Sequence, residues 1–383
     1  MKVPLLDLKK QYEKIKQEIM LTAQEVFESQ SFILGSKVEE LEKRIAEYSG
    51  CKYAVGVSSG TDALLISLMT AGVGEGDLVI TTPYTFFATV GAITRLNALP
   101  VFVDIDEQTF NMEPQKLSEK LRSMNEEQRS RLKAIIPIHL YGQCADMEKI
   151  LKIAGEYELT VIEDAAQAIG AEYEFKDRSV KRAGSMGHYG CFSFYPTKNL
   201  GAFGEGGMVL TNDEDIFNLL KIYRNHGAVG RYNHSFIGGN FRLDALQAAV
   251  LLVKLKYLDE WTAGRIRNAS IYRELFREAG IPDILLPFEK EKRHIYNQFV
   301  IKVGDGRDSL KRYLNDNEIG CEIYYPISLH MQECFKYLNY RVGDFPISEE
   351  AALKTLALPI YPELTRDQIG YVVETIKKFK GIE

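Results

Sequence analysis

Short apolar, β-branched runs recur through the first half of the chain, each followed by a stretch with helical spacing. Residues 53–57, 78–81, 101–104, 134–138 and 160–162 read as strands. Val38, Leu41, Ile45 and Tyr48 share one helical face, and residues 62–69, 117–124 and 147–157 read as further helices. This alternation predicts an α/β fold: a largely parallel sheet with helices on both faces. It also says where chemistry belongs, because ligands gather outside the carboxyl ends of such strands.

The pattern changes after Asn212. Residues 243–261 read as one long apolar helix, with helical spacing again at 268–279. Beyond His294 the expectation is a strand (298–303), a helix (309–317), a strand (320–324) and a closing helix (366–379). A chain of 383 residues exceeds what most single cores accommodate. We therefore expect a large α/β domain over 1–255 and a smaller α+β domain over 256–383, joined through the long helix rather than by a flexible linker.

Bulk properties exclude several classes. A net charge of -6 lacks the basic excess of a nucleic-acid-binding surface. No run approaches the ~20 apolar residues of a membrane helix, and the start carries no export signal. The five cysteines are scattered without a CxxC pair, which argues against a disulfide framework or zinc site. His139, His188, His226, His234 and His294 show no ligand-like spacing, so no metal is expected. A cytoplasmic protein fits these features.

Three segments carry candidate chemistry. In Cys191-Phe-Ser-Phe-Tyr-Pro-Thr-Lys198 a strand-like run ends at Pro196, and glycines at 201, 204, 206 and 207 follow. A lysine hemmed in by close backbone loses its charge easily and becomes nucleophilic; the alternative is a surface lysine in a glycine hairpin. Asp164 follows the apolar run of 160–162 and is expected at a buried strand end, with Gln167 on its side if the chain turns helical there. It would pair with a cationic ring nitrogen, or simply cap a helix. Ser58-Ser-Gly-Thr61 lies between strand and helix, where backbone amides cradle an anion or merely begin a helix. A phosphate cradle, a carboxylate and an activated lysine together are what pyridoxal phosphate requires.

At this point the chain resembles the DegT/DnrJ/EryC1/StrS aminotransferases. The likeness runs from Pro4 to Pro362. It rests on Phe32-Ile-Leu-Gly35, Ser59-Gly-Thr-Asp-Ala-Leu64, Glu163-Asp-Ala-Ala-Gln167, Phe192-Ser-Phe-Tyr-Pro-Thr-Lys-Asn199 and Arg242-Leu-Asp-Ala-Leu-Gln-Ala248. It implies the aspartate-aminotransferase type of fold, the pyridoxal-phosphate-dependent transferase fold. It also implies roles: Lys198 holding the cofactor as a Schiff base and then moving the proton, Asp164 on the ring nitrogen, and Gln167 on the ring hydroxyl. Gly60, Thr61 and Ser193 are implied as phosphate ligands. Phe86 would stack on the ring, or be a core aromatic. Asn240 is implied to reach the phosphate from a neighbouring subunit, hence at least a homodimer with shared sites. For substrate, the likeness points to Arg242 and to Tyr325 and His330 in Tyr-Tyr-Pro-Ile-Ser-Leu-His. Arg242 could equally be structural and His330 a packing residue. Phe32 and Ile33 are implied to help hold a nucleotide.

The implied reaction is a ping-pong transfer of an amino group from L-glutamate, which leaves as 2-oxoglutarate, to a nucleotide-linked keto sugar. Lysine at 198, rather than the histidine of dehydratase relatives, favours transamination. The run Tyr-Pro-Thr-Lys-Asn-Leu-Gly-Ala-Phe-Gly is similar to members that aminate carbon 3. The expected substrate is a dTDP-3-keto-6-deoxyhexose, with UDP-2-acetamido-3-keto-glucuronate as the alternative. A non-catalytic regulator of the same fold is the alternative of another class. A Rossmann-type dinucleotide enzyme would need GxGxxG after its first strand, and Ser58-Ser-Gly-Thr61 is not that.

Overall fold

The computed structural model describes residues 1–382. Strands β1 (Tyr53–Val57), β2 (Leu78–Thr81), β3 (Leu99–Phe102), β4 (Leu132–Ile135), β5 (Thr160–Asp164), β6 (Tyr189–Ser193) and β7 (Gly207–Thr211) form a seven-stranded sheet in the order β1-β7-β6-β5-β4-β2-β3. Strand β7 runs antiparallel to both its neighbours, and the remaining pairs are parallel. Successive residues of a strand feed opposite faces. Ile80, Ile135 and Val161 pack with Val38, Leu41 and Ile45 of the helix Ser36–Ser49. Their neighbours Val79, Ala134 and Ile162 pack with Leu64 and Leu68 of the helix Gly60–Thr70 on the other face.

A second core collects Tyr272, Phe276, Phe299, Ile301, Leu356, Val372 and Ile376. It surrounds a three-stranded antiparallel sheet of Ile284–Leu285, Phe299–Val303 and Thr355–Leu358. Val3 joins this core, so the chain's first residues cross over to its C-terminal part. The Asp104 carboxylate also ties the two parts together. It accepts from the Ile347 N–H at 3.0 Å and the Ser348 hydroxyl at 2.6 Å, at the start of the helix Pro346–Lys354.

Three expectations need correction. The long helix over 243–261 is two helices, Ala245–Leu255 and Leu258–Ala279. The chain tightens at the junction, where Tyr257 N–H donates to the Lys254 carbonyl at 3.0 Å. The Lys256 and Tyr257 side chains there both hold Glu18 of the helix Leu8–Ser29. Apolar spacing continues across the junction because both helices are buried on that side, so the pattern conceals it. Residues 320–324 form no strand, only a bridge between Glu322 and Ala357. The backbone there is spent elsewhere: Gly320 N–H donates to Val3, and the Tyr324 carbonyl accepts from tyrosine hydroxyls. Strands β3 and β4 end two and three residues before the expected limits of 104 and 138. Val103, Ile136 and Ile138 beyond them are still buried, and burial was the only signal available. Among the described residues no helix is long and apolar enough to cross a membrane.

Candidate active site

The parallel strands and the entry to β7 point their ends at one cavity of about 620 Å³. Each loop contributes to its wall. Ser59, Gly60 and Thr61 follow β1, and Thr85 and Phe86 follow β2. Ile138 and Leu140 follow β4. Asp164 ends β5, with Ala166 and Gln167 after it. Ser193 ends β6, with Tyr195, Thr197 and Lys198 after it, and Glu205 precedes β7. Gln298, Tyr324 and Tyr325 close it from the C-terminal part. The volume lies within the ~300–1,000 Å³ of ligand sites.

Strand β6 stops at Ser193, three residues before the expected Pro196. The chain then turns: Lys198 N–H donates to the Tyr195 carbonyl at 2.9 Å and Ala202 N–H to Phe194 at 2.8 Å. A β-carbon at Gly201 would stand 2.3 Å from the Pro196 carbonyl oxygen, so only glycine closes this loop. From outside, the buried Lys254 ammonium holds the Gly201 carbonyl, and Gln247 accepts from Phe203 N–H at 2.9 Å. Lys198 is thereby aimed into the cavity rather than at bulk water. Burial pulls its amine down to about 8, against the attraction of Asp164.

Asp164 is 6% exposed. Thr89 Oγ1 donates to its Oδ2 at 2.7 Å, and Ala166 N–H to its Oδ1 at 3.3 Å. Each carboxylate oxygen can accept twice, so capacity for a further donor remains. Burial raises the carboxyl above its ordinary value, while Thr89, Ala166 and Lys198 pull it back. No helix follows: the chain turns at Ala166, so neither a helix cap nor a helical turn places these groups. Gln167 is positioned instead by long-range bonds. Its Oε1 accepts from Tyr141 N–H at 2.7 Å, and its Nε2 donates to the Tyr325 hydroxyl at 3.1 Å.

At the start of the helix Gly60–Thr70, Ser58 and Ser59 hydroxyls donate to Asp62 Oδ2 at 2.6 and 2.9 Å. Their protons are occupied, which leaves the donors of Gly60 and Thr61 for an occupant of the cavity. The first N–H groups of a helix have no partner within it, and they favour an anion. Ser193 is close by: a β-carbon at Gly60 would fall 2.6 Å from Ser193 Cβ. Phe86 is 58% exposed and is not a core aromatic; its ring stands 6.0 Å from that of Tyr325.

The cavity thus brings together Gly60, Thr61, Phe86, Asp164, Gln167, Ser193, Lys198 and Tyr325. Five other sequence candidates lie outside it. Asn240, Arg242, Phe32 and Ile33 share one region beside the end of β1, linked by bridges of Asn240 to Asn225, Arg242 to Val57 and Ile33 to Asp244. Arg242 donates to Asn225 Oδ1 at 2.7 Å, while Phe32, Ile33 and Asn240 are exposed. His330 does not reach the cavity and is 2% exposed. It bonds Ser328 and Glu349 at 3.1 Å each and packs on Phe345, the packing alternative. Sequence reading missed Tyr195, Thr197, Glu205, Gln298 and Tyr324. Glu205 was within reach, since it sits in the glycine loop. Gln298 and Tyr324 arrive from the far part of the chain and carry no local signal.

The sequence model of the DegT/DnrJ/EryC1/StrS aminotransferase family matches residues 13–377. A protein named pleiotropic regulatory protein, from Geobacillus stearothermophilus, is 47% identical over 99% of each chain. The dTDP-3-amino-3,6-dideoxy-alpha-D-galactopyranose transaminase of Aneurinibacillus thermoaerophilus is 40% identical over 98% of this chain and 99% of its own. The UDP-2-acetamido-2-deoxy-3-oxo-D-glucuronate aminotransferase of Pseudomonas aeruginosa is 39% identical over 97% and 98%. Among solved structures, S. venezuelae DesV superposes with a TM-score of 0.92 at 35% identity, covering 99% of this chain and 98% of its own. The NtdA protein of Bacillus subtilis with bound cofactor PMP gives 0.87 at 32% identity, covering 98% and 85%. By sequence and by fold, the chain belongs to the DegT/DnrJ/EryC1/StrS aminotransferase family.

Proposed function

We propose that the chain is a pyridoxal-phosphate-dependent aminotransferase that moves an amino group from L-glutamate to carbon 3 of a dTDP-linked 3-keto-6-deoxyhexose. The single observation that carries this reading is one cavity that presents Lys198, Asp164 and the Gly60–Thr61 helix start together. The residues fit the cofactor chemically. Gly60, Thr61 and Ser193 offer donors to its phosphate, and Asp164 keeps acceptor capacity for the ring nitrogen. Gln167 lies on the same wall for the ring hydroxyl, and Phe86 offers an exposed aromatic face. The Gln298 Oε1, buried on the cavity wall without a partner, also favours a polar occupant. When bound, pyridoxal phosphate supplies an electron sink for the substrate carbon that loses its proton.

The protein's own part is holding and proton transfer. Lys198 would hold the cofactor through Nζ, and the same Nζ would carry the proton between the two carbons that exchange it. Asp164 keeps the ring nitrogen protonated. Asn240, exposed and outside its own cavity wall, suits a second subunit's phosphate site in a homodimer. Phe32, Ile33 and Arg242, in the same region, would serve that subunit's nucleotide sugar.

Only the neutral amine has a lone pair for capture. With Lys198 pulled down to about 8, the reactive fraction grows about tenfold per pH unit below that value and saturates above it. The rate at which apoprotein takes up pyridoxal phosphate, followed by visible absorbance, should rise with pH and level off above about 8. A rate independent of pH across this range would contradict the assignment.

Substrate charge separates the two sugar classes. The formally charged groups on the cavity wall are Asp164, Lys198 and Glu205. With the first two engaged by the cofactor, Glu205 is the remaining charge this chain puts on the wall, so the carboxylates of glutamate or of a uronate would need a cation from outside it, such as a neighbouring subunit's Arg242. The likeness to the dTDP-3-amino-3,6-dideoxy-alpha-D-galactopyranose transaminase supports the deoxyhexose, whose sugar ring carries no carboxylate. Protein loaded with cofactor, given glutamate and dTDP-3-keto-6-deoxyhexose, should yield amino sugar and 2-oxoglutarate one for one. The UDP-linked 3-keto-glucuronate should react at least about tenfold more slowly, the cost of placing its carboxylate in a sugar pocket shaped for an uncharged ring. Faster turnover of the uronate would reverse the substrate assignment. The relative named as a pleiotropic regulatory protein supports a second, regulatory reading, which would gain if no keto sugar is aminated.

A further inference from the structure

The wall that Tyr324 and Tyr325 give to the cavity belongs to the C-terminal part, yet the sheet domain holds it in place. Tyr84, after β2, and Tyr141, after β4, are 1% and 4% exposed. Both hydroxyls converge on the carbonyl oxygen of Tyr324. Tyr84 donates to it at 2.7 Å, Tyr141 also bonds it, and the two hydroxyls are 3.0 Å apart. Tyr84 Oη further lies 2.8 Å from Thr355 Oγ1, whose own proton goes to the Ala351 carbonyl at 2.8 Å. Each hydroxyl has one proton to give. A chain from Tyr141 to Tyr84 and from Tyr84 to the Tyr324 carbonyl leaves no orphan donor in the group. Around it pack Ile105, Phe110, Ile138 and Leu140 from the sheet domain and Val300, Ala352 and Ala357 from the C-terminal part. In such apolar surroundings an unmade bond is costly. Burial raises both phenols, Tyr141 well above its ordinary value, so they remain donors.

A second strand of the same lattice runs through the site. Tyr141 N–H fixes Gln167 Oε1, and Gln167 Nε2 holds the Tyr325 hydroxyl. Tyr141 therefore supports the cavity wall twice, once by its side chain, through Tyr84, at Tyr324 and once by its backbone through Gln167. We propose that Tyr84 and Tyr141 are positioning residues, which clamp the Tyr324–Tyr325 wall onto the sheet domain and so set the shape of the amino-donor and sugar side of the cavity. Neither hydroxyl faces the cavity, so neither touches substrate. The substrate side of this statement rests on the function proposed above; the clamp itself does not.

The test uses full-length Tyr84→Phe and Tyr141→Phe, each of which removes one hydroxyl and keeps the ring. Hydrogen exchange of the peptide spanning 320–329 should quicken about tenfold in either variant, the effect of one buried hydrogen bond lost. The double variant should add little, because the hydroxyls act as one chain. With pyridoxal phosphate bound, the glutamate concentration for half-maximal reaction should rise about fivefold, while the limiting rate and cofactor affinity stay within about twofold. Should the phenylalanine variants fail to fold, Tyr325→Phe removes the hydroxyl by which Gln167 holds the wall and should shift exchange in the same direction. Wild-type exchange rates in the variants would overturn the clamp. So would a loss of cofactor affinity equal to that of glutamate, which would signal general loosening. An absent glutamate reaction in the wild type would count against the aminotransferase reading and leave exchange to judge the clamp.

Discussion

Lys198→Ala is expected to lower turnover by about 10⁴-fold or more, because a single nitrogen is asked to do two jobs. In the proposed reaction it would anchor the cofactor and would also carry the proton from the carbon that loses it to the carbon that gains it. No neighbour can substitute. The other formally charged groups on the cavity wall are Asp164 and Glu205, both carboxylates, and the nearby Lys254 is committed to the Gly201 carbonyl outside the cavity. Lys198→Arg should be equally inactive, since a guanidinium does not give up its proton. The cradle of Gly60, Thr61 and Ser193 survives in both variants, so pyridoxal phosphate should still bind, reversibly and without resisting dialysis. A small primary amine added to Lys198→Ala should restore a measurable fraction of the rate by entering the space left behind. Steady-state assays with glutamate and the keto sugar, with and without added amine, decide this. Retention of more than about a hundredth of wild-type turnover by Lys198→Ala would remove the lysine from the mechanism.

That lysine was readable from sequence because its surroundings are local. The glycines that let the chain close round it lie within nine residues of it, and the strand before it is a continuous apolar run. The same holds for Asp164, which ends a strand, and for Gly60, three residues after one; both strands are buried almost throughout and show in the sequence as short apolar runs. Strands β1 and β2 were bounded correctly for that reason. What failed to show was anything set by a distant partner. Gln167 was expected to take its place through a helical turn, but Tyr141 and Tyr325 hold it instead. His330 looks like a site residue from its neighbours in sequence, and only Glu349, nineteen residues on, turns it inward. The helix break at Lys256–Tyr257 depends on Glu18, far back along the chain. Asn240, Arg242, Phe32 and Ile33 are drawn together by bridges, two of which join segments some two hundred residues apart, and none of the four lines the chain's own cavity.

Asp164→Asn is expected to cost about 10²–10³-fold in turnover while leaving the apoprotein as stable as before, the size of effect seen when one preorganised electrostatic partner is lost. The two halves of this expectation follow from the same burial. The carboxyl lies where charge is unfavourable, and its ionised form is sustained by Thr89, Ala166 and the attraction of Lys198. An amide of the same shape is cheaper to bury, and its oxygen can keep the bond from Thr89 Oγ1. Its other end, however, presents N–H groups where a carboxylate oxygen stood. Facing a ring nitrogen, such a group donates, and the nitrogen then holds no proton of its own. The ring withdraws electrons less strongly, and the carbon that must lose a proton becomes less acidic. Cofactor capture by Lys198 should persist in this variant, shifted only as far as losing the nearby negative charge lowers the amine further. The informative comparison is therefore among three measurements on one protein: thermal midpoint of the apoprotein, pyridoxal phosphate uptake, and turnover. Turnover alone should fall. If the midpoint drops by many degrees together with turnover, Asp164 is a structural residue. If all three stay at wild-type values, the ring nitrogen has no need of this carboxylate, and the cofactor must lie otherwise in the cavity.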